Sequence, residues 1–303
     1  MITKPTVLVL GAGASAPYGF PVASELKKHI CDAFIKGSTA SQFLHEGSGI
    51  PLNVLAEFRE TFRKSGQSSI DAFLEHRPEF IEVGKLAIAY CLIPYEVEDV
   101  LFESTPSRGG NWYQHLSEKL NASFEKFGEN QLSIITFNYD RSLEHYLLTT
   151  LRNAHGRDYD ECAEMLRKIP IYHMYGQLSR QPYPDREARP YTPDRSSYHY
   201  VGQAARGITL LHDKGKPEIE ASRQVLKAAE RICFLGFSYH PLNMERLKLE
   251  DSSRRAVFGT TRGLIGGEIY AVEEMLQIFL RTGNVNLTDA DSLIVLRQHL
   301  ILG

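Results

Sequence analysis

The sequence is poor in cysteine, in long apolar runs and in charge of one sign. Its 303 residues include four cysteines, Cys31, Cys91, Cys162 and Cys233, scattered with no C-x-x-C pair. That spacing argues against a structural zinc and leaves reduced core cysteines as the expected state. No run approaches the ~18 apolar residues of a membrane helix, so no membrane association is expected. The first apolar run, Val7–Leu10, is four residues long and leads into glycines, unlike a signal peptide. A cytoplasmic location is therefore the expectation. The net charge is −3, with no basic excess to carry direct nucleic-acid binding. What remains is an ordinary globular composition, 43% hydrophobic and 23% charged. A chain of this length can bury roughly 75% of its unfolded surface without staples.

Thr6–Leu10 reads as a short, buried parallel strand. A glycine turn and a helix over Val22–Ile35 follow. GSTASQ and HEGSGIP carry turn chemistry on either side of Phe43–Leu44. Leu52–Phe62 reads as a helix presenting Leu55, Phe58 and Phe62. Ser69–Ile93 is helical with a break at Pro78. Trp112–Phe124 is a helix that Gly128 helps to stop. Residues 21–128 thus read as a helical insertion over the ligand crevice. Residues 1–20 and 129–303 form the remaining Rossmann-type unit. Strands return at 132–140, 170–176 and 232–238, with helices Arg141–Arg152, Asp160–Lys168 and Ile219–Arg231. Residues 181–200 hold four prolines and four tyrosines and read as a long loop. Its Arg186, Arg189 and Arg195 are either solvated or a clamp for phosphate or a partner. A short Val-Phe element near 257, a helix over Glu268–Arg281 and a final short helix complete the chain. The expected fold class is α/β, a Rossmann-like, doubly wound parallel sheet.

Gly11-Ala12-Gly13-Ala14-Ser15-Ala16 fits G-x-G-x-x-A directly after a strand. Gly11 permits the tight turn, Gly13 lets backbone approach a pyrophosphate, and Ala16 keeps the helix near the sheet. Helix-start amides would hold the anion. A plain strand-to-helix turn is the alternative. No strand ends near residue 30 with a ribose-binding acid, and Asp32 falls in a helix, so a dehydrogenase-type contact has no support.

The turn continues to Gly19-Phe20-Pro21, giving GAGAS-x3-GFP. Thr136-Phe137-Asn138-Tyr139-Asp140 follows as T-x-N-x-D. Tyr172-His173-Met174-Tyr175-Gly176 and Gly236-Phe237-Ser238 with Asn243 come next, in order. This ordered set resembles the sirtuin superfamily. Val22-Ala23-Ser24 stands where its protein deacylases have D-F-R, and their four-cysteine zinc module is missing. The helical insertion, with SELKKHI and SIDAFL, is instead similar to the sirtuin-like NAD+ hydrolases of bacterial anti-phage defence. The resemblance implies cleavage of NAD+ to nicotinamide and ADP-ribose, with NAD+ as substrate and no metal. It implies a separately encoded protein activator or regulatory subunit, or activation by assembly into a homo-oligomer. It also implies NAD-binding roles for Gly11, Ala12, Gly13, Ser15, Phe20, Pro21, Thr136, Gly236, Ser238 and Asn243.

The leaving nicotinamide is already cationic, so the chemistry needs an oriented ribose, excluded bulk water and a placed water or weak base. Asn138 suits the ribose hydroxyls or that water. Asp140 suits stabilising positive charge or orienting donors, with helix capping as its plainer role. The two share a face if the strand is still extended there. The family's catalytic histidine directly precedes the glycine, where this chain has Tyr175. His173 lies two residues earlier, displaced by about 6.6 Å on a strand. Three readings stay open: His173 acts after a local distortion, Tyr175 fills the polar role, or the site binds nucleotide without cleaving it. The last makes the chain a silent NAD- or ADP-ribose-binding regulatory subunit. A deacylase is the remaining rival. His240 either faces the crevice or is solvated.

Overall fold

A computed structural model describes residues 1–103, 109–180, 187–209, 217–247, 255–280, 284–299 and 301–302. Six parallel strands form one sheet: β1 Thr6–Leu10, β2 Leu132–Thr136, β3 Ile171–His173, β4 Arg231–Leu235, β5 Ala256–Thr260 and β6 Val285–Thr288. Their order is β3-β2-β1-β4-β5-β6. This is the Rossmann-like order, with each strand parallel to its neighbour. The α/β expectation holds. Every residue of β1 is buried, because helices cover both faces of the central strands and a polar side chain has no solvent to reach. β1 lies between β2 and β4, with Leu8 beside Ile134 on one side and Cys233 on the other. The chain order reverses between β1 and β4. A ligand crevice belongs there, outside the strand carboxyl ends.

Between β1 and β2 the described chain is helical. Its longer members are Ala23–Ala33, Thr39–Ser48, Leu52–Lys64, Ile70–His76, Ile81–Leu92 and Trp112–Leu120. Leu55, Phe58 and Phe62 point inward at helical spacing and pack with Phe73 and Phe80. The same apolar cluster contains Leu8, Ile134 and Cys233, so these helices share the core of the sheet. Trp112 is fully buried and donates from Nε1 to Ala14 O at 2.8 Å, tying this region to the glycine turn.

Several expectations need correction. The two turn-like segments around Phe43 are the ends of one helix, Thr39–Ser48: Ser38 caps its start through Ser41 N, and Gly49 closes it at φ 76°. The helix from Trp112 ends at Leu120, and Gly128 sits in a later 3-10 segment rather than capping it. Pro78 breaks the 69–93 region as expected, starting a 3-10 turn between Ile70–His76 and Ile81–Leu92. β6 is a four-residue edge strand, too short for a readable period. The tyrosine-rich stretch ends in a helix, Tyr198–Gly207, started by Ser197. Arg189 is not solvated. It is 1% exposed and pairs with Glu96, which also pairs with Arg141 at 2.9 Å. Arg195 lies over the Tyr90 ring, and Arg186 falls outside the described residues.

All four cysteines are buried and free. Burial pushes the Cys91 thiol up to about 12 and raises Cys233 as well. No helix among the described residues is long and apolar enough to cross a membrane.

Candidate functional site

A cavity of about 920 Å³ opens at the carboxyl ends of β1, β4 and β5. That is the size of a small-molecule site, ~300–1,000 Å³. Its walls include Gly11, Ala12 and Gly13 from the turn after β1, and Asn138 from the loop after β2. Tyr175 joins them after β3, and Gly236, Ser238, His240 and Asn243 after β4. Ser69 and Asp71, from the helical region before β2, close it from the opposite side.

The glycines meet at the strand crossing. A Cβ on Gly13 would lie 2.8 Å from Gly236 Cα, and one on Gly11 2.5 Å from Gly236 O. Gly13 N donates to Gly236 O at 3.0 Å. Gly13 is thus needed for backbone contact with the β4 turn, and its amide is committed there. The turn after β4 is held tightly too. Tyr239 adopts φ 54°, uncommon for a bulky residue. Its hydroxyl donates to Thr260 O at 3.1 Å, which anchors the turn to the end of β5.

β2 ends at Thr136, so Asn138 and Asp140 lie on the following loop rather than an extended strand. Asn138 is fixed at nearly every polar atom. Its backbone N donates to Thr136 Oγ1 at 3.1 Å, and its carbonyl accepts from His173 Nδ1 at 3.1 Å. Its Nδ2 donates to Gly11 O and Ser15 Oγ, each at 3.0 Å. Its Oδ1 is buried and has no hydrogen-bond partner among the described residues. An orphaned acceptor on a cavity wall costs about 1–3 kcal/mol unless something donates to it.

Asp140 does not reach the cavity. Its Oδ1 accepts from Ser142 N at 3.2 Å and from the Ser142 hydroxyl. Burial raises its carboxyl, opposed by the Ser142 and Ser15 hydroxyls. It anchors the start of helix Ser142–His155 and the Ser15 that holds Asn138. Thr136 and Ser15 likewise brace the site from behind. Phe20 and Pro21 also stay off the cavity wall, and Phe20 packs near Tyr95 at 6.0 Å between ring centroids.

His173 and Tyr175 part company, because β3 ends at His173. His173 turns away from the cavity, its Nε2 lying 2.5 Å from Glu144 Oε1. Burial opposes its protonation, but the charge and hydrogen bond of Glu144, with the Asn138 carbonyl, raise it overall. It is a clamp on Asn138. A folded value above the ordinary ~6.5 means its stabilisation is complete below that pH and is lost as pH rises through the folded value. His173→Gln should therefore cost more stability at pH 5.5 than at pH 9 relative to wild type, read from urea midpoints at both. Equal losses at the two pH values would remove the imidazolium from the account.

Tyr175 stays on the wall. Its hydroxyl donates to Asn243 Oδ1 at 2.7 Å, and the Arg246 guanidinium lies 4.2 Å from its ring centroid. Burial, with Asp71 nearby, raises the phenol, so it is no base at neutral pH. His240 is exposed on the rim.

Asp71 is the residue that the sequence reasoning passed over. It is half-buried in the first turn of helix Ile70–His76, which Ser69 caps through Ala72 N. The Tyr139 hydroxyl donates to its Oδ1. Burial raises its carboxyl to about 7, opposed by a hydrogen bond from its own backbone amide and by Arg246, with Glu75 assisting. The signal was present as SIDAFL, a serine cap followed by an acid in the first turn, but nothing in one sequence joins residue 71 to residues 139 and 175.

No family model matches the chain, and no curated protein matches it.

Proposed function

We propose that this chain is a sirtuin-like NAD+ hydrolase that releases nicotinamide and leaves ADP-ribose. The orphaned Asn138 Oδ1 on the cavity wall carries the reading. It is a fixed acceptor with its neighbours already spent, which is what a ribose hydroxyl or an attacking water requires. The strand order, the glycine turn and the cavity volume support a dinucleotide-sized ligand. The resemblance to anti-phage hydrolases adds a role as a defence effector, held quiet until a partner protein or assembly activates it.

The test is chromatography of NAD+ incubated with the purified chain. Asn138→Ala should lower nicotinamide release roughly 100-fold, since it removes the group that places the water or sugar. Unchanged release would move the chemistry elsewhere. One observation favours a second reading, a binding subunit without turnover: the Tyr175 hydroxyl is already committed to Asn243. Tight ADP-ribose binding with no nicotinamide release, from the chain alone and from the chain together with its co-purifying proteins, would select it.

A further inference from the structure

If the chain hydrolyses NAD+, some group on the cavity wall must accept the proton of the attacking water. Tyr175 donates its hydroxyl to Asn243, and His173 is engaged behind Asn138 by Glu144. His240 stands on the exposed rim. Two carboxylates line the cavity, Asp71 and Asp291. Asp291 is used as a cap: Oδ1 accepts from Ile294 N at 2.9 Å and Oδ2 from Gly110 N at 3.3 Å. Asp71 accepts from the Tyr139 hydroxyl and from its own backbone amide, and takes no other side-chain hydrogen-bond donor among the described residues.

We propose that Asp71 is the proton acceptor for the water that attacks the anomeric carbon of the nicotinamide ribose, an assignment that rests on the hydrolase reading above. The C1′–N bond breaks with its electron pair going to the nicotinamide ring nitrogen, which neutralises the cation. The water oxygen bonds to C1′, its proton passes to Asp71, and Asp71 later releases it to solvent. Asn138 Oδ1 holds the ribose or the water, and Tyr139 is a positioning residue that fixes the carboxylate.

The surroundings suit a base at neutral pH. Arg246 faces Asp71 from the helix after β4, Glu75 from one turn along its own helix, and Tyr139 and Tyr175 from the ends of β2 and β3. The helix Ile81–Leu92 meets this one through Gly84 against Leu74, and its Glu82 and Lys85 pair with each other at 3.8 Å. A carboxyl raised to about 7 is half ionised at the pH of a cell, where general-base transfer is most efficient.

The experiment follows nicotinamide release by the full chain and by Asp71→Asn from pH 5 to 9, with ADP-ribose binding by calorimetry. Expected is a loss of roughly 100-fold in kcat for Asp71→Asn, with KM and ADP-ribose affinity within about threefold. Wild-type kcat should fall below about pH 7, and Asp71→Asn should lack that limb. A variant that keeps its kcat, or keeps the acid limb, overturns the assignment. So does a wild type that binds ADP-ribose and releases no nicotinamide at any pH, alone or with its co-purifying proteins, since it needs no base. A chain that binds neither NAD+ nor ADP-ribose overturns the hydrolase reading itself.

Discussion

Glu96→Ala should cost about 3–5 kcal/mol, the loss expected when one member of a buried ion cluster is deleted and the others stay. Against a whole-domain stability of ~5–15 kcal/mol, that is enough to leave much of the chain unfolded on mild heating. Glu96 is 0% exposed, and so is the Arg141 side chain that meets it at 2.9 Å. Arg189 meets its other oxygen. Removing the carboxylate leaves two guanidinium groups buried together without the countercharge that they share. Arg141 keeps three carbonyl partners, on Arg180, Arg189 and Pro190, but Arg189 Nε already has no hydrogen-bond partner among the described residues. Burial already pulls Arg189 down from the ordinary arginine value, and Glu96 is what opposes that pull. The cost should appear as a shifted urea midpoint with an unchanged slope. Glu60 is the control. It pairs with Arg59, Arg63 and Lys64 on an open helix face, and its removal should barely move the midpoint. If Glu96→Ala and Glu60→Ala behaved alike, the buried cluster would not be holding the region before β2 to the segment after β3.

That cluster also shows where the sequence stopped being readable. The core strands were plain from runs such as Val7–Leu10, because burial on both faces favours apolar residues. The amphipathic helices were plain from spacing, as with Leu55, Phe58 and Phe62. Each signal is local, and local patterns suffice for elements and for the parallel sheet. Pairings across 45 and 93 residues, such as Glu96 with Arg141 and Arg189, leave no local trace. Arg189 therefore read as one more solvated cation in a proline-rich loop. The site divides the same way. Gly11, Ala12, Gly13, Asn138, Tyr175, Gly236, Ser238 and Asn243 do line one cavity, since all but Asn243, which lies in the helix Pro241–Leu247, sit just past a strand end. Asp140, His173, Thr136 and Ser15 were equally close in sequence but face the other way. Whether a loop side chain points into the crevice or braces it from behind depends on where the strand stops, to within a residue. β2 and β3 stop at Thr136 and His173, earlier than the apolar pattern indicated. Asp71 arrives from an unrelated segment, so no strand-end argument could have found it.

Gly236→Ala should be costlier than any other glycine change on the cavity wall. Gly236 has φ +55°, and a Cβ there would lie 2.0 Å from Ala14 N and 2.2 Å from Gly13 C. Both are backbone atoms, so no side chain can swing aside to make room. The left-handed conformation alone costs roughly 1–2 kcal/mol for a residue with a Cβ. Displacing packed backbone adds about 1–3 kcal/mol. Gly263 separates the two costs. Its φ is +90°, and a Cβ there would meet nothing within 4 Å. Gly263→Ala should therefore show the conformational cost by itself, and the difference between the variants should measure the clash between the turns after β1 and β4. The clash also has a functional consequence. Pushing the turns apart breaks Gly13 N to Gly236 O and moves Gly11, whose carbonyl holds Asn138 Nδ2. Asn138 Oδ1 would then lose its fixed position. Gly236→Ala should weaken ADP-ribose binding even at temperatures where the variant is folded. Equal urea midpoints for the two variants would mean that the β1 and β4 turns yield freely. In that case the rigidity of the glycine crossing could not be what keeps the Asn138 acceptor in place.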